Sequence, residues 1–294
     1  YILCNSLSTL ATHYNFPPPS VTLKSTMIVA VDTGGTKTLV AVFDTEGKVV
    51  AEEKFPTPED IAEYIATLST TIDKLMDGQA ITCLSVALPG TIVDGRMVWA
   101  GNLPWRDIDV RSLLGSHFDC PIIVENDANL AGLAEARALE TVPDLCLCVA
   151  VGTGIGTGVT VKGRIDPVLS RTEGGRIMLE RDGAYQIWES FASGKAIHER
   201  YGKLASEIED TETWNAIASD FAKGLLALTP FLRPDIVVFG GGVGAYLDRF
   251  IDPLMDILRA YLHDDYVPPI VKASHLEKAV IYGCYYHALD SVAA

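Results

Sequence analysis

Apolar and polar positions switch between two periods along this chain. Met27 to Val31 and Leu39 to Phe43 are short apolar runs, and Asp32-Thr33-Gly34-Gly35-Thr36-Lys37 lies between them. That pattern predicts a strand, a glycine turn and a second strand. Val49-Val50 opens another short run, and from about residue 59 to 76 the spacing becomes helical. Ile81 to Leu88 reads as a buried strand stopped by Pro89-Gly90. Residues 91–120 mix short strand signals and turns with one short helix near 110–117. Pro121 to Glu125 is a strand, and Asp127 to Leu139 a helix with Leu130, Leu133, Ala134 and Ala138 on its apolar side.

The order then repeats. A strand hairpin over 145–161 holds Gly152-Thr153-Gly154-Ile155-Gly156-Thr157-Gly158, and a loop-rich stretch covers 162–184. Helical runs follow at 185–207 and 213–232. Ile236 to Phe239 is a strand that enters Gly240-Gly241-Gly242 and another helix. Ile270-Val271 is a last short strand and 277–289 a last helix. Gly34 and Gly154 mark matching places in the two halves. A duplication of this size predicts two similar α/β domains facing each other across a cleft, where ligands usually bind. The expected boundaries are 27–125 and 126–276, with a C-terminal helix in 277–294 packing back on the first domain. Residues 1–26 hold Pro17-Pro18-Pro19 and little periodicity. They are read as a disordered or non-native extension ahead of a native start at Met27, without the features of a signal peptide.

The formal net charge of −15 makes nucleic acid and anionic membranes poor partners. No stretch reaches 18 uninterrupted apolar residues, so no membrane span is expected. Six cysteines are scattered, mostly in apolar runs, which fits a reduced, cytoplasmic protein with buried thiols. Cys146 and Cys148 fall on one side of a strand. Core packing is the better reading there, because no further Cys or His stands nearby at ligand spacing.

Three groups of residues carry candidate chemistry. Gly34, Gly35, Thr36 and Lys37 form one glycine turn, and Gly152, Thr153 and Gly154 the other. Bare backbone N–H groups and threonine hydroxyls there can hold phosphate, or the turns can be ordinary hairpins. Gly240, Gly241 and Gly242 begin a G-x-G-x-x-A run after a strand. Too little chain follows for a dinucleotide domain, so a surface beside an adenine fits better. Asp127 opens a helix after a strand. It can be a base for an attacking hydroxyl or a plain helix cap, and the neighbouring Asn126 amide favours the base. Asp32, at the end of its strand, is assigned to Mg²⁺ through water, with turn stabilisation as the alternative. Asn102, Glu173 and Glu189 are candidates for sugar hydroxyls, although spacing alone leaves both glutamates readable as solvated loop residues.

At these residues the chain resembles the ROK family (repressors, open reading frames, kinases) of the actin/hexokinase/Hsp70 superfamily, from Met27 onward. Asp32 to Lys37 resembles its first phosphate motif and Gly152 to Gly156 its second. Glu125-Asn126-Asp127-Ala128-Asn129 is similar to its catalytic segment, and Gly240 to Gly242 to its adenosine motif. The resemblance implies two ribonuclease-H-like (actin-like ATPase) domains, Asp127 as base, and sugar contacts from Asn102, Asn126, Asp127, Glu173 and Glu189. Trp188 to Gly194 is similar to the family's Leu-Glu-x-x-x-Ser-Gly stretch, with Trp188 at the Leu position, which supports Glu189. The chain departs at Thr172-Glu173-Gly174-Gly175-Arg176, where many members have Gly-Glu-Ile-Gly-His. Arg176 takes the position of a histidine that touches sugar in relatives. With no cysteine from Tyr185 to Trp188, the family's zinc site is not expected.

The resulting expectation is an ATP- and Mg²⁺-dependent sugar kinase. Glucose is the first acceptor, with N-acetylglucosamine or N-acetylmannosamine as the alternative. A homodimer is the family's habit. A DNA-binding repressor and a non-catalytic sugar-binding protein are the readings from other classes.

Overall fold

The computed structural model describes residues 27–275 and 277–293. The expectation for residues 1–26 lies outside the described residues.

Strands β1 (Met27–Thr33), β2 (Lys37–Phe43) and β3 (Val49–Pro56) form an antiparallel meander. Helix α1 (Ile61–Met76) then leads to β4 (Ile81–Leu88), which runs parallel to β1. The Asp60 carboxylate starts α1 by accepting the Glu63 N–H at 2.9 Å, and Asp77 ends it in the left-handed region. Tyr64, Ile65, Leu68, Ile72 and Met76 recur at helical spacing and bury one face of α1 against the sheet.

A small sheet of β5 (Thr91–Val93), β6 (Arg96–Trp99) and β7 (Arg106–Ile108) comes next, with short helix α2 (Val110–Gly115). Strand β8 (Ile122–Asn126) then joins β4 in parallel, completing the order β3-β2-β1-β4-β8. Helix α3 (Asp127–Ala138) follows directly.

The second half repeats this plan. Strands β9 (Leu145–Val151), β10 (Ile155–Val161) and β11 (Arg164–Ile165) form the meander. An insert carries hairpin β12 (Met178–Arg181) and β13 (Ala184–Ile187), then α4 (Trp188–Ala192), α5 (Gly194–Tyr201) and α6 (Thr211–Leu232). Strand β14 (Ile236–Gly240) pairs in parallel with β9 and leads through α7 (Gly241–Gly244) to α8 (Ile251–Tyr261). Strand β15 (Ile270–Lys272) completes the order β11-β10-β9-β14-β15, and α9 (Ala279–Val292) ends the fold.

Three expectations need correction. The helical run 185–207 is instead a strand and two short helices, because Ser193 interrupts it: its Oγ accepts the Ala196 N–H at 3.2 Å and starts α5. The stretch 162–184 contains β11 and most of the β12–β13 hairpin, strands too short to show a period. The three-residue turn after β1 begins at Gly34 and the one after β9 at Gly152, so strand register matches Gly34 with Gly152 rather than Gly154.

Helix α3 belongs to both halves. Leu130 packs with Ile28, Ala30 and Phe43 of the first sheet, and Ala136 with Cys146, Cys148 and Val238 of the second. Helix α9 lies on the same face of the first sheet through Ile281, Cys284, Tyr285 and Ala288. Both thiols of Cys146 and Cys148 are packed in core, and burial pushes that of Cys146 up to about 12. Among the described residues no helix is long and apolar enough to cross a membrane.

Candidate active site

The parallel strands bring the candidate carboxylates together. Asp32 near the end of β1 pairs in register with Ala87 of β4, and the next residue, Leu88, pairs with Asn126 of β8. Asp32 and the start of α3 therefore share one edge of the first sheet. At that edge opens a cavity of about 940 Å³, lined by both halves of the chain.

Asp127 is the first residue of α3, but it is not the cap. The Asn126 side chain caps the helix: Oδ1 accepts the N–H of Ala128 at 2.8 Å and of Asn129 at 3.1 Å. Its Nδ2 donates to the Gly90 carbonyl at 2.8 Å, which ties the Pro89–Gly90 turn to the start of the helix. One Asp127 oxygen accepts the Ala128 N–H at 2.8 Å. Burial pushes the Asp127 carboxyl up to about 7, helped by the charge of Asp32 and then of Glu173. The helix N-terminus favours the anion by up to about 2 kcal/mol, roughly one and a half pKa units, which is less than the rise from 3.8 to about 7, so desolvation wins. Burial also raises Asp32 to about 6, against the pull of Lys54.

Glu125 sits behind this pair. It accepts from its neighbour's N–H, that of Asn126, at 2.8 Å and from Asn129 Nδ2 at 2.9 Å, and burial raises its pKa. Asn129 in turn donates to the Ser170 carbonyl at 2.8 Å, linking α3 to the loop that leads to Glu173.

The cavity gathers Asn102, Asn126, Asp127, Glu173 and Glu189, the turn Gly152-Thr153-Gly154, and Gly241. Asp32, the turn Gly34-Gly35-Thr36-Lys37, Gly240 and Gly242 stand outside its lining. The first turn adjoins it through Gly35, where a Cβ would lie 2.9 Å from Asn102 Nδ2. The Gly34 N–H donates to the Lys37 carbonyl at 2.9 Å, and the Thr57 hydroxyl to the Gly34 carbonyl at 2.8 Å. Lys37 and Thr36 are exposed.

Glu189 enters at the start of α4. Its Oε2 accepts the Ile155 N–H at 3.2 Å and would meet a Cβ on Gly154 at 2.6 Å. Gly154 is therefore needed to admit this carboxylate. Trp188 beside it is fully buried, with its indole N–H on the Asp220 carbonyl at 3.0 Å. Asp220 is itself held by Arg200 at 2.6 Å, Arg181 at 3.2 Å and Lys223 at 3.4 Å.

Several lining residues were not picked out from the sequence. Trp99 of β6 reaches the cavity, and so does Thr91, whose hydroxyl donates to Glu173 Oε1 at 3.2 Å across the two halves. Arg106 shapes the Asn102 loop by donating to the carbonyls of Ala100, Leu103 and Trp105 at 3.1, 2.9 and 2.6 Å. An Arg beside Trp105 was the available signal, though it names no role. Arg176, seen in the sequence only as a departure, also lines the cavity.

The donor set suits a hard divalent cation. Two half-buried carboxylates, Asp32 and Asp127, close enough for the charge of one to raise the pKa of the other, with no group of three His, Cys, Asp or Glu ligands among the described residues, fit an ion that keeps most of its water.

Residues 28–291 match the model of the ROK family. The fructokinase of Zymomonas mobilis is 30% identical over 240 residues, 72% of this chain and 78% of its own. The glucokinase of Streptomyces coelicolor is 24% identical over 284 residues, 80% and 88% of the two chains. Among solved structures, a ROK family glucokinase from Streptomyces griseus in complex with glucose and AMPPNP superposes with a TM-score of 0.72 at 22% identity. It covers 88% of this chain and 97% of that one. With the same sheet plan repeated in both halves and the family match running from residue 28 to 291, this chain belongs to the ROK family.

Proposed function

We propose that this sugar kinase transfers the γ-phosphoryl group of ATP to the hydroxymethyl oxygen of a hexose, with glucose as acceptor. The observation that carries the reading is Asp127: a cavity-lining carboxyl whose pKa is raised to about 7 and which shares only the Ala128 N–H with the cap residue Asn126. A base with its pKa near the working pH is best able to take a proton from an attacking alcohol.

In this mechanism Asp127 accepts the hydroxymethyl proton while the sugar oxygen bonds to the γ-phosphorus. The bond from that phosphorus to the bridging oxygen breaks, and ADP leaves. Asn126 has one amide hydrogen beyond its bond to Gly90, available to a sugar hydroxyl. Asn102, Glu173 and Glu189 supply the other polar contacts that orient the ring. The Gly152 N–H closes its own turn on the Gly154 carbonyl at 2.9 Å, which leaves the Thr153, Gly154 and Gly241 N–H groups for the nucleotide, and the Gly34–Lys37 turn adjoins the cavity through Gly35. Mg²⁺ would be held through Asp32 and water, and supplies neutralisation of phosphate charge when bound. Cleft closure would exclude the water that competes as acceptor.

A coupled ADP-release assay over glucose, mannose, fructose, N-acetylglucosamine and N-acetylmannosamine tests this. Glucose is expected to give the highest kcat/KM, with turnover abolished by EDTA and restored by Mg²⁺. Turnover that no sugar stimulates ends the kinase reading. Preference for an N-acetylated sugar corrects the acceptor alone.

A further inference from the structure

The two halves of the cavity rim meet at a three-residue contact that the reaction above does not use. The Arg176 guanidinium lies over the Trp99 ring, 4.7 Å from its centroid, and its Nη2 is 3.9 Å from Glu189 Oε1. Trp99 belongs to β6 of the first half, while Arg176 and Glu189 belong to the second. All three line the cavity. Glu189 is thus held from two sides, by the Ile155 N–H on Oε2 and by the guanidinium facing Oε1. Arg106 also lies over the Trp99 ring, 5.7 Å from its centroid, and Gly101 leaves room for the ring, since a Cβ there would come within 3.3 Å of it.

We propose that Trp99 and Arg176 form a clasp between the lobes that positions Glu189 and so sets the affinity for the sugar acceptor, an assignment that rests on the kinase reading. A planar guanidinium can stack on a ring and face a carboxylate at once, which a lysine ammonium cannot do in the same geometry. The other bridges on this rim do not touch Glu189. Thr91 bonds Glu173, and Asp94 pairs with Arg171 at 3.1 Å through largely exposed side chains. Trp99 and Arg176 are positioning residues: they act on the sugar through Glu189 and the closed state of the rim.

A double-mutant cycle with Arg176→Met and Trp99→Leu tests this in the full chain. Each variant is expected to raise the sugar KM about three- to tenfold, the range of a partly exposed cation–π contact, and to leave the ATP KM within about twofold. The double variant should be no worse than the poorer single one, and Trp99→Phe, which keeps a ring, should recover most of the affinity. Effects that multiply in the double variant, or an ATP KM that moves as much as the sugar KM, overturn the clasp. A second readout is independent of catalysis: distances between fluorophores introduced at the exposed positions Glu63 and Asp256, on α1 and α8. Both variants should lengthen or broaden the distance while Trp99→Phe leaves it as in the parent. If neither variant moves it, the clasp is refuted. If the parent phosphorylates no sugar, the kinase reading fails on its own and this distance still decides the clasp.

Discussion

Asn126 caps the helix that Asp127 begins. The amide oxygen takes two helix N–H groups while the amide nitrogen holds the Gly90 carbonyl. Asn126 thus carries most of the capping, and Asp127 shares only the Ala128 N–H, through one oxygen. Replacing Asn126 by Ala removes the cap and should cost about 1 kcal/mol, read as a lower midpoint in urea denaturation. Asn126→Asp keeps an acceptor for the helix but loses the donor to Gly90. It should retain more stability than the alanine variant and still bind sugar poorly.

The raised pKa of Asp127 predicts a pH profile. As a base it must be ionised, so log kcat/KM should rise with unit slope below about pH 7 and level off above it. Asp32 contributes charge that raises this pKa. In Asp32→Asn the acid limb of the residual activity should therefore move to lower pH. A limb that stays in place would detach the profile from this pair.

The same shift acts on stability with the opposite preference. Unfolded, the Asp127 carboxyl ionises near its ordinary 3.8; folded, it holds its proton to about 7. The folded state binds more protons across that window, so the charged group costs nothing below about pH 4 and destabilises progressively up to about pH 7. Asp127→Asn, which cannot ionise, should match the parent in denaturant midpoint at pH 4 and exceed it at pH 7.5. Equal midpoints at both values would place the carboxylate in a better solvated setting than its burial implies.

Gly154→Ala puts a methyl group 2.6 Å from Glu189 Oε2. The carboxylate must turn away, so the sugar KM should rise at least tenfold while the melting temperature changes little. Gly158→Ala meets the Ala128 carbonyl at 2.3 Å, against backbone that cannot yield cheaply. It should destabilise by about 1–3 kcal/mol and lower kcat, because it displaces the start of α3.

Asp220→Ala removes the one carboxylate shared by Arg181, Arg200 and Lys223. Those cations are partly exposed, so the cost should fall near the lower end for a broken buried pair, about 3 kcal/mol. Thermal denaturation monitored by tryptophan fluorescence reads it directly, since the Asp220 carbonyl also holds the Trp188 indole.

Much of this fold can be read from the chain because its signals are local. The runs at β1, β4, β9 and β14 are apolar and short, each ends at a turn or polar residue, and the glycine hairpin recurs. Asp127 was legible because it follows such a run and opens a helical spacing. The rest depends on distant partners. Gly156 and Gly158 look like phosphate-turn residues, yet a Cβ on either would strike Ala128 of α3. Trp99 reads as an ordinary end of a strand, and only the folded chain sets Arg176 over it. The β12–β13 hairpin escaped notice because its exposed face carries Met178 and Tyr185, which blur the alternation.

The most direct test of the central claim is acceptor-dependent ADP release by Asp127→Asn beside the parent. The variant should lose about 10²- to 10⁴-fold in kcat while its KM values for ATP and glucose stay close to those of the parent. A variant that turns over glucose at the parental rate would contradict the assignment of Asp127 as the base.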